Sequence, residues 1–285
     1  MESFFSFLEK RVDDVSSLLC VGLDPHISDL ESPTAASALK FCLNLINQTS
    51  RYASAYKPNA AFFEVFGAEG WNALKEVVSS VKEESYKQGS TIPVVLDAKR
   101  GDISSTAEAY AQSAFESLGV DGITLSPYLG KDSIEPFIQI SEKGVFILCK
   151  TSNAGSGDLQ DVSVTVDGGR ETVNGLRSTV VPLYLHVAKL AEAWNEKNNV
   201  GIVVGATHLD AMKKIREAVP NLWFLTPGVG AQGGDLESTM NAGLRKDGKG
   251  MLIPISRAIS RANNPAKAAA DLRDEMLRLS IKRFG

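Results

Sequence analysis

The sequence predicts an α/β chain closed as a (β/α)8 TIM barrel, one domain spanning residues 1–285 with an N-terminal capping helix. Three observations lead there. Eight short runs rich in Val, Ile, Leu and Phe recur along the chain, each closing on Asp, Lys, Ser, Thr, Pro or Gly. Helical patterns lie between these runs, and eight strand–helix units in series favour a closed parallel barrel over an open doubly wound sheet. The length of 285 residues exceeds a typical single domain, yet barrels of this kind often reach it undivided.

Each element follows in order. FFSFLEKRVDDVSSL reads as a helix capping the bottom of the barrel. The first strand, LLCVGLDP, ends near Asp24 and leads into the helix AASALKFCLNLINQTSR. YASAYKPN ends near Lys57 before GWNALKEVVSSVKEESYK, and PVVLDAK ends near Lys99 before TAEAYAQSAFESL. GITLSP closes near Ser126 and VFILCKTS near Ser152. From Gly155 to Gly175 the chain is polar and Gly-rich. That stretch reads as a long loop over the barrel mouth, or as a small hairpin because VSVTV alternates, and the sequence leaves both open. The helix VVPLYLHVAKLAEAWNEK follows, then GIVVGAT near Thr207, LDAMKKIREAV, WFLTPG near Thr226, LESTMNAGL and MLIPIS near Ser256. PAKAAADLRDEMLRLSIKR closes the chain. Asn264 precedes Pro265 there, a strong helix start, because the Asn side chain accepts an orphan amide and Pro at the first position sacrifices no bond.

With 44% hydrophobic and 22% charged residues, the chain has apolar material for a sizeable core and argues against disorder. A formal charge of -4 provides no large basic field, so neither nucleic acid nor an anionic membrane is expected as a partner. Cys20, Cys42 and Cys149 are isolated, without CxxC spacing, and read as reduced core residues. No signal-peptide pattern and no apolar run of transmembrane length is seen, so a cytoplasmic setting is expected. His26, His186 and His208 are scattered without ligand spacing, and no metal is expected.

The chemistry concentrates in VVLDAKRGDI. In a strand alternate side chains share a face, so Asp97 and Lys99 point together, at the barrel end where active sites are assembled. Asp24, Lys57 and Ser152 fall at the same end. A solvated strand-to-helix turn is the plain alternative, with Gly101 bending the chain and Asp102 near a helix N-terminus. Independent solvated turns would not need a second lysine and a further aspartate after neighbouring apolar runs. After the seventh strand, TPGVGAQGGD offers Gly228, Gly230, Gly233 and Gly234 for close backbone approach to an anion, and Arg257 after the eighth adds a planar cationic fork.

In order, GLDP, YKPN, LDAKRGDI followed by Thr106, CKTSN, TPGVGAQGGD and ISRAI resemble the motifs of the orotidine 5'-monophosphate (OMP) decarboxylases, from about Val21 to Ile259. The stretch after CKTSN looks like the family variant with a longer fifth loop. The resemblance implies a cofactor-free carboxy-lyase that converts OMP to uridine 5'-monophosphate (UMP) and CO2 in the last step of pyrimidine biosynthesis. It implies Lys99 as the cation that stabilises and protonates carbon 6, with Asp97, Asp102 and Lys57 completing an alternating charge array. It further implies Asp24 on the ribose hydroxyls, Ser152 on the pyrimidine edge, and Gln232, Gly233 and Arg257 on the phosphate. Asp102 and Thr106 would reach across a homodimer interface into the partner's site. Related sugar-phosphate barrels also carry DxKxxD but use it with a divalent metal and an enediolate, so chelation separates the two.

Overall fold

The computed structural model describes residues 2–173, 176–230 and 232–284. Among the described residues ten strands form: β1 (Leu19–Leu23), β2 (Ala55–Pro58), β3 (Val95–Arg100), β4 (Gly122–Leu125), β5 (Gly144–Lys150), β6 (Ser163–Val173), β7 (Leu176–Pro182), β8 (Val200–Val204), β9 (Phe224–Leu225) and β10 (Met251–Ile255). Eight make one parallel sheet in the order β2-β1-β10-β9-β8-β5-β4-β3. Its two ends approach through parallel bridges between Tyr56 and Val94 and between Asn59 and Asp97. The Tyr56 amide donates to the Pro93 carbonyl at 2.9 Å and Ala60 to Asp97 at 3.1 Å. The sheet is therefore a nearly closed barrel.

The eight barrel strands match the eight sequence runs. They were visible because strands of a parallel barrel are covered on both faces and so become continuous apolar runs. All five residues of β1 and of β8 are buried. Helices Ala35–Thr49, Gly67–Gln88, Leu209–Ala218, Leu236–Gly243 and Pro265–Phe284 lie where the periodicity predicts them. Asn264 Oδ1 accepts from the Lys267 amide at 2.9 Å, as a cap should. The helix from Ser104 widens into a π-helical turn over Ser113–Leu118.

At the bottom, Phe4–Val15 forms the expected capping helix, with Phe4, Phe5, Leu8 and Val12 buried. Phe5 stacks on Trp223 at 5.7 Å, and Phe4 meets Phe146 edge-on at 6.1 Å. Gly144 at the start of β5 makes this possible, since a Cβ there would sit 2.2 Å from the Phe4 ring. Burying each ring stabilises the fold by about 1.5–3 kcal/mol.

The polar stretch after β5 is a hairpin rather than an open loop. Ala154–Ser156 and Gly157–Gln160 form short helical turns, after which β6 and β7 pair antiparallel. The alternation of VSVTV is the reason: its backbone groups find partners in a ladder. Val180–Pro182 belong to β7, so the next helix begins at Leu183 and not at Val180. Between β4 and β5 stand only the turns Lys131–Ser133 and Glu135–Ile138.

Candidate active site

A cavity of about 620 Å³ opens at the C-terminal ends of the strands, within the size range of small-molecule sites. Asp24, Lys57, Asp97, Lys99, Ser152, Gln232 and Arg257 all line it. These side chains come from β1, β2, β3, β5, β9 and β10 or the residues just after them, so the closure of the barrel assembles the site.

Asp97 sits between two ammonium groups. Its Oδ2 accepts from Lys57 Nζ at 2.8 Å and its Oδ1 from Lys99 Nζ at 2.5 Å. Lys57 is buried, whereas the Lys99 side chain is half-exposed toward the cavity. Burial alone would lower the Lys57 pKa, but Asp97 and then Asp24 overcome it and hold the ammonium above its ordinary range. Burial would likewise raise Asp97, and Lys57 and Lys99 together hold the carboxyl well below the usual carboxylate range. Both members of the buried pair are therefore charged at neutral pH.

The alternation argument for Asp97 and Lys99 meets a local irregularity. The β3–β4 register shifts between Leu96 and Arg100, and Lys99 has φ +49°, in the left-handed region. Such a backbone costs about 1–3 kcal/mol for a non-glycine residue. Thr124 on β4, buried at 1% exposure, holds it there. Its Oγ1 accepts from the Ala98 amide at 3.1 Å and the Lys99 amide at 2.9 Å, and donates to Asp97 Oδ1 at 3.1 Å. The hydroxyl uses its whole capacity of one donor and two acceptors. Thr124 was missed from sequence, where nothing in GITLSP announces a contact with the neighbouring strand.

Asp24 lines the cavity with Oδ1 buried and without a partner among the described residues. Ser152 is held by its backbone: its carbonyl accepts from Thr207 Oγ1 at 3.2 Å. A Cβ on Gly205 would lie 2.7 Å from the Ser152 nitrogen and Cα, so only glycine lets β8 end so close to this loop. Gln232 and Ser152 meet at Gly228, which has φ +105°: a Cβ there would lie 3.1 Å from Gln232 Oε1 and 3.2 Å from Ser152 Cβ. Arg257 opens the turn after β10; its carbonyl accepts from the Arg261 amide at 3.1 Å, while its guanidinium makes no hydrogen bond or ion pair with any described residue.

Three predicted residues stand apart. Gly233 does not line the cavity, and its amide donates to the Gly230 carbonyl at 2.9 Å, so the glycine loop folds on itself. Asp102 and Thr106 are also outside the lining. Asp102 Oδ1 accepts the adjacent Ile103 amide at 2.8 Å, and Thr106 is exposed. Within one chain the charge array is thus Lys57–Asp97–Lys99. The cavity also includes His26, Asn59, Thr151 and Gln160, of which only His26 stood out in the sequence. Gln160 comes from the insert and reaches the mouth only because the turn Gly157–Gln160 folds back. Among the described residues no group of three or more His, Cys, Asp or Glu is arranged to hold a metal ion.

A nearly closed parallel barrel with a carboxylate held between two lysines at its mouth defines the class, a barrel enzyme with a charged site. The particular family follows from comparison. A model of the orotidine 5'-phosphate decarboxylase / HUMPS family matches residues 17–272, and the chain belongs to that family. A relative named orotidine 5'-phosphate decarboxylase, from Roseiflexus castenholzii, is 46% identical over 275 residues, covering 95% of this chain and 93% of its own. The structure of the Leishmania donovani OMP decarboxylase is similar with a TM-score of 0.83 and 49% identity, covering 98% of this chain and 99% of that one. The UMP synthase of the same organism matches at 50% identity and TM-score 0.84, but this chain spans only 57% of its length.

Proposed function

We propose that the chain decarboxylates OMP to UMP and CO2, the last step of UMP biosynthesis, without a metal or other cofactor. One observation carries the reading: a carboxylate clamped between two ammonium groups lies in the same cavity as the Arg257 guanidinium, which has no partner among the described residues. Cleaving the bond from carbon 6 to the carboxylate releases CO2 and leaves the electron pair on carbon 6. That carbon needs positive charge beside it. Lys99, the half-exposed lysine, supplies it and then passes an Nζ proton to carbon 6, restoring its own proton from water afterwards. Lys57 is held protonated by Asp97 and Asp24, so its part is electrostatic: it keeps Asp97 ionised and in place.

The remaining roles follow the lining. Asp24 has carboxylate capacity left for ribose hydroxyls, and Ser152 offers hydroxyl and backbone to the pyrimidine edge. Arg257 and Gln232 hold the phosphate, Arg257 through a bidentate charged contact, while Gly233 shapes the turn that presents Gln232. We further propose a homodimer in which Asp102 and Thr106 complete the partner's site. Exposed Ile103, Tyr128 and Leu129 sit on the loops after β3 and β4, which are joined by the Ser126 amide donating to the Arg100 carbonyl. That apolar surface beside Asp102 suits a second copy. No described helix is long and apolar enough to cross a membrane. Three buried free thiols fit the cytoplasm, where we place the reaction.

The test follows the near-ultraviolet band of OMP with the purified chain in EDTA, beside Lys99→Ala. Loss of the band with wild type alone is expected. No loss with either, and turnover of a sugar phosphate once magnesium is restored, would overturn the assignment.

A further inference from the structure

Behind the loop Thr151–Asn153 lies a polar cluster that the proposed chemistry leaves unused. Lys150 closes β5 with its side chain only 2% exposed. Its Nζ is 2.8 Å from Asp161 Oδ1, donates to Ser156 Oγ at 3.1 Å and lies 6.0 Å from the centre of the Tyr184 ring. Ser156 Oγ is in turn 3.2 Å from His208 Nε2, just before the helix Leu209–Ala218. An ammonium ion is costly to take out of water, and an apolar side chain at this position would stabilise the strand end more cheaply. Elsewhere β5 carries apolar residues. The cation therefore calls for an explanation beyond packing.

The hydrogen bond and ion pair of Lys150 Nζ are both with the first segment of the insert, while its backbone carbonyl accepts from the Gly205 amide at 2.7 Å. Asp161 is next to Gln160, which reaches the cavity. Gln160 spends both ends of its amide on one residue. Its Oε1 accepts from the Thr151 amide at 2.9 Å, and its Nε2 donates to Thr151 Oγ1 at 2.8 Å. Thr151 Oγ1 donates onward to Asn153 Oδ1 at 2.7 Å. Two sets of polar contacts, joined by the peptide bond between Gln160 and Asp161, thus link the buried cation to the residues on either side of Ser152.

We propose that Lys150 is a positioning residue for pyrimidine recognition, acting through Asp161 and Gln160 to latch the insert to the barrel and fix Thr151–Asn153. The inference rests on the reading of the cavity as a nucleotide site. The latch ties specificity to the insert: a chain holding the phosphate and ribose through β1, β9 and β10 still needs this segment in place to read the base.

The experiment measures the dissociation constant of UMP, and inhibition by ribose 5-phosphate, for wild type, Gln160→Ala, Asp161→Asn and Lys150→Met. Ribose 5-phosphate has the sugar and phosphate but no base. Each variant is expected to weaken UMP about tenfold, the scale of losing one or two hydrogen bonds, with ribose 5-phosphate unmoved. Lys150→Met combined with Gln160→Ala is expected to be no worse than the weaker single variant, because both break one pathway. Additive losses, equal losses for both ligands, or unchanged UMP binding in Gln160→Ala would overturn the latch. If Lys150→Met does not fold, Asp161→Asn and Gln160→Ala form the cycle instead. A wild type that binds UMP while the variants match it refutes the latch alone; a wild type that binds neither ligand refutes the nucleotide reading beneath it.

Discussion

Replacing Thr124 with Val keeps the shape of the side chain and removes one hydroxyl. In the folded protein that hydroxyl receives the Ala98 and Lys99 amides and donates to Asp97. Val leaves two backbone amides without this acceptor in a part-buried setting, at about 1–3 kcal/mol each, so stability should fall by about 2–6 kcal/mol. The activity loss has a separate origin. Lys99 is held at φ +49°, and without its amide anchored the residue relaxes toward a right-handed or extended backbone, carrying Nζ away from Asp97 and from carbon 6. A misplacement of this kind is expected to lower kcat by about 10- to 100-fold, or roughly 1.4–2.8 kcal/mol of transition-state stabilisation. Denaturant melts give the first number, and OMP absorbance at saturating substrate gives the second. Thr124→Ser keeps the hydroxyl and should recover most of kcat. If Thr124→Val turned over like wild type, or Thr124→Ser were equally impaired, the hydroxyl would have no part in placing Lys99.

The other expectations are shorter. Asp97 has a depressed folded pKa, so its stabilisation is complete above the unfolded value of about 3.9 and is lost as pH falls toward the folded one. Lys57 has a raised folded pKa, so its share is complete below about 10.4 and is lost as pH rises through the folded value. Denaturation curves against pH should therefore show an acid limb that is shallower in Asp97→Asn, and identical limbs would contradict the assignment. Arg257→Ala should reduce kcat/KM by about 10- to 100-fold from a lost charged hydrogen bond, with kcat falling too if phosphate binding organises the ring end; an effect on KM alone would confine Arg257 to uniform binding. Mixing inactive Lys99→Ala and Asp102→Ala subunits should regenerate activity, because a mixed dimer has one site with both residues intact. Mixtures that stay silent although mixed dimers form would remove Asp102 from the partner's site.

The parts legible in the sequence share one property: their cause is local. Strand runs, the Asn264 cap and the capping helix each follow from side chains within a few residues, and all eight barrel strands appear where the apolar runs place them. The hairpin was half-legible, because alternation suggests a strand but not what pairs with it. The helix expected from Val180 begins at Leu183 because Val180–Pro182 were already spent in that ladder. Thr124, Gln160 and Lys150 were illegible because their meaning lies in another unit of the barrel. Thr124 acts on β3 from β4, and Gln160 acts on the end of β5 from the last residue of the turn Gly157–Gln160 in the insert. Even Asp97 and Lys99, which alternation placed together, meet through a register shift and a left-handed residue that no period-two pattern contains.

This difference explains how the site tolerates its own cost. A buried cation beside a carboxylate gains little net stability once desolvation is counted, and the left-handed Lys99 adds strain. Neither would persist on an isolated strand. Both are held by elements that the apolar core has already fixed: β2 brings Lys57 to Asp97, and β4 brings Thr124 to the Lys99 amide. Core burial is thus the source of the free energy that keeps two ammonium groups on one carboxylate before any substrate enters. That arrangement is what a reaction leaving negative charge on carbon requires, since the compensating charge is oriented in advance and need not reorganise as the bond breaks.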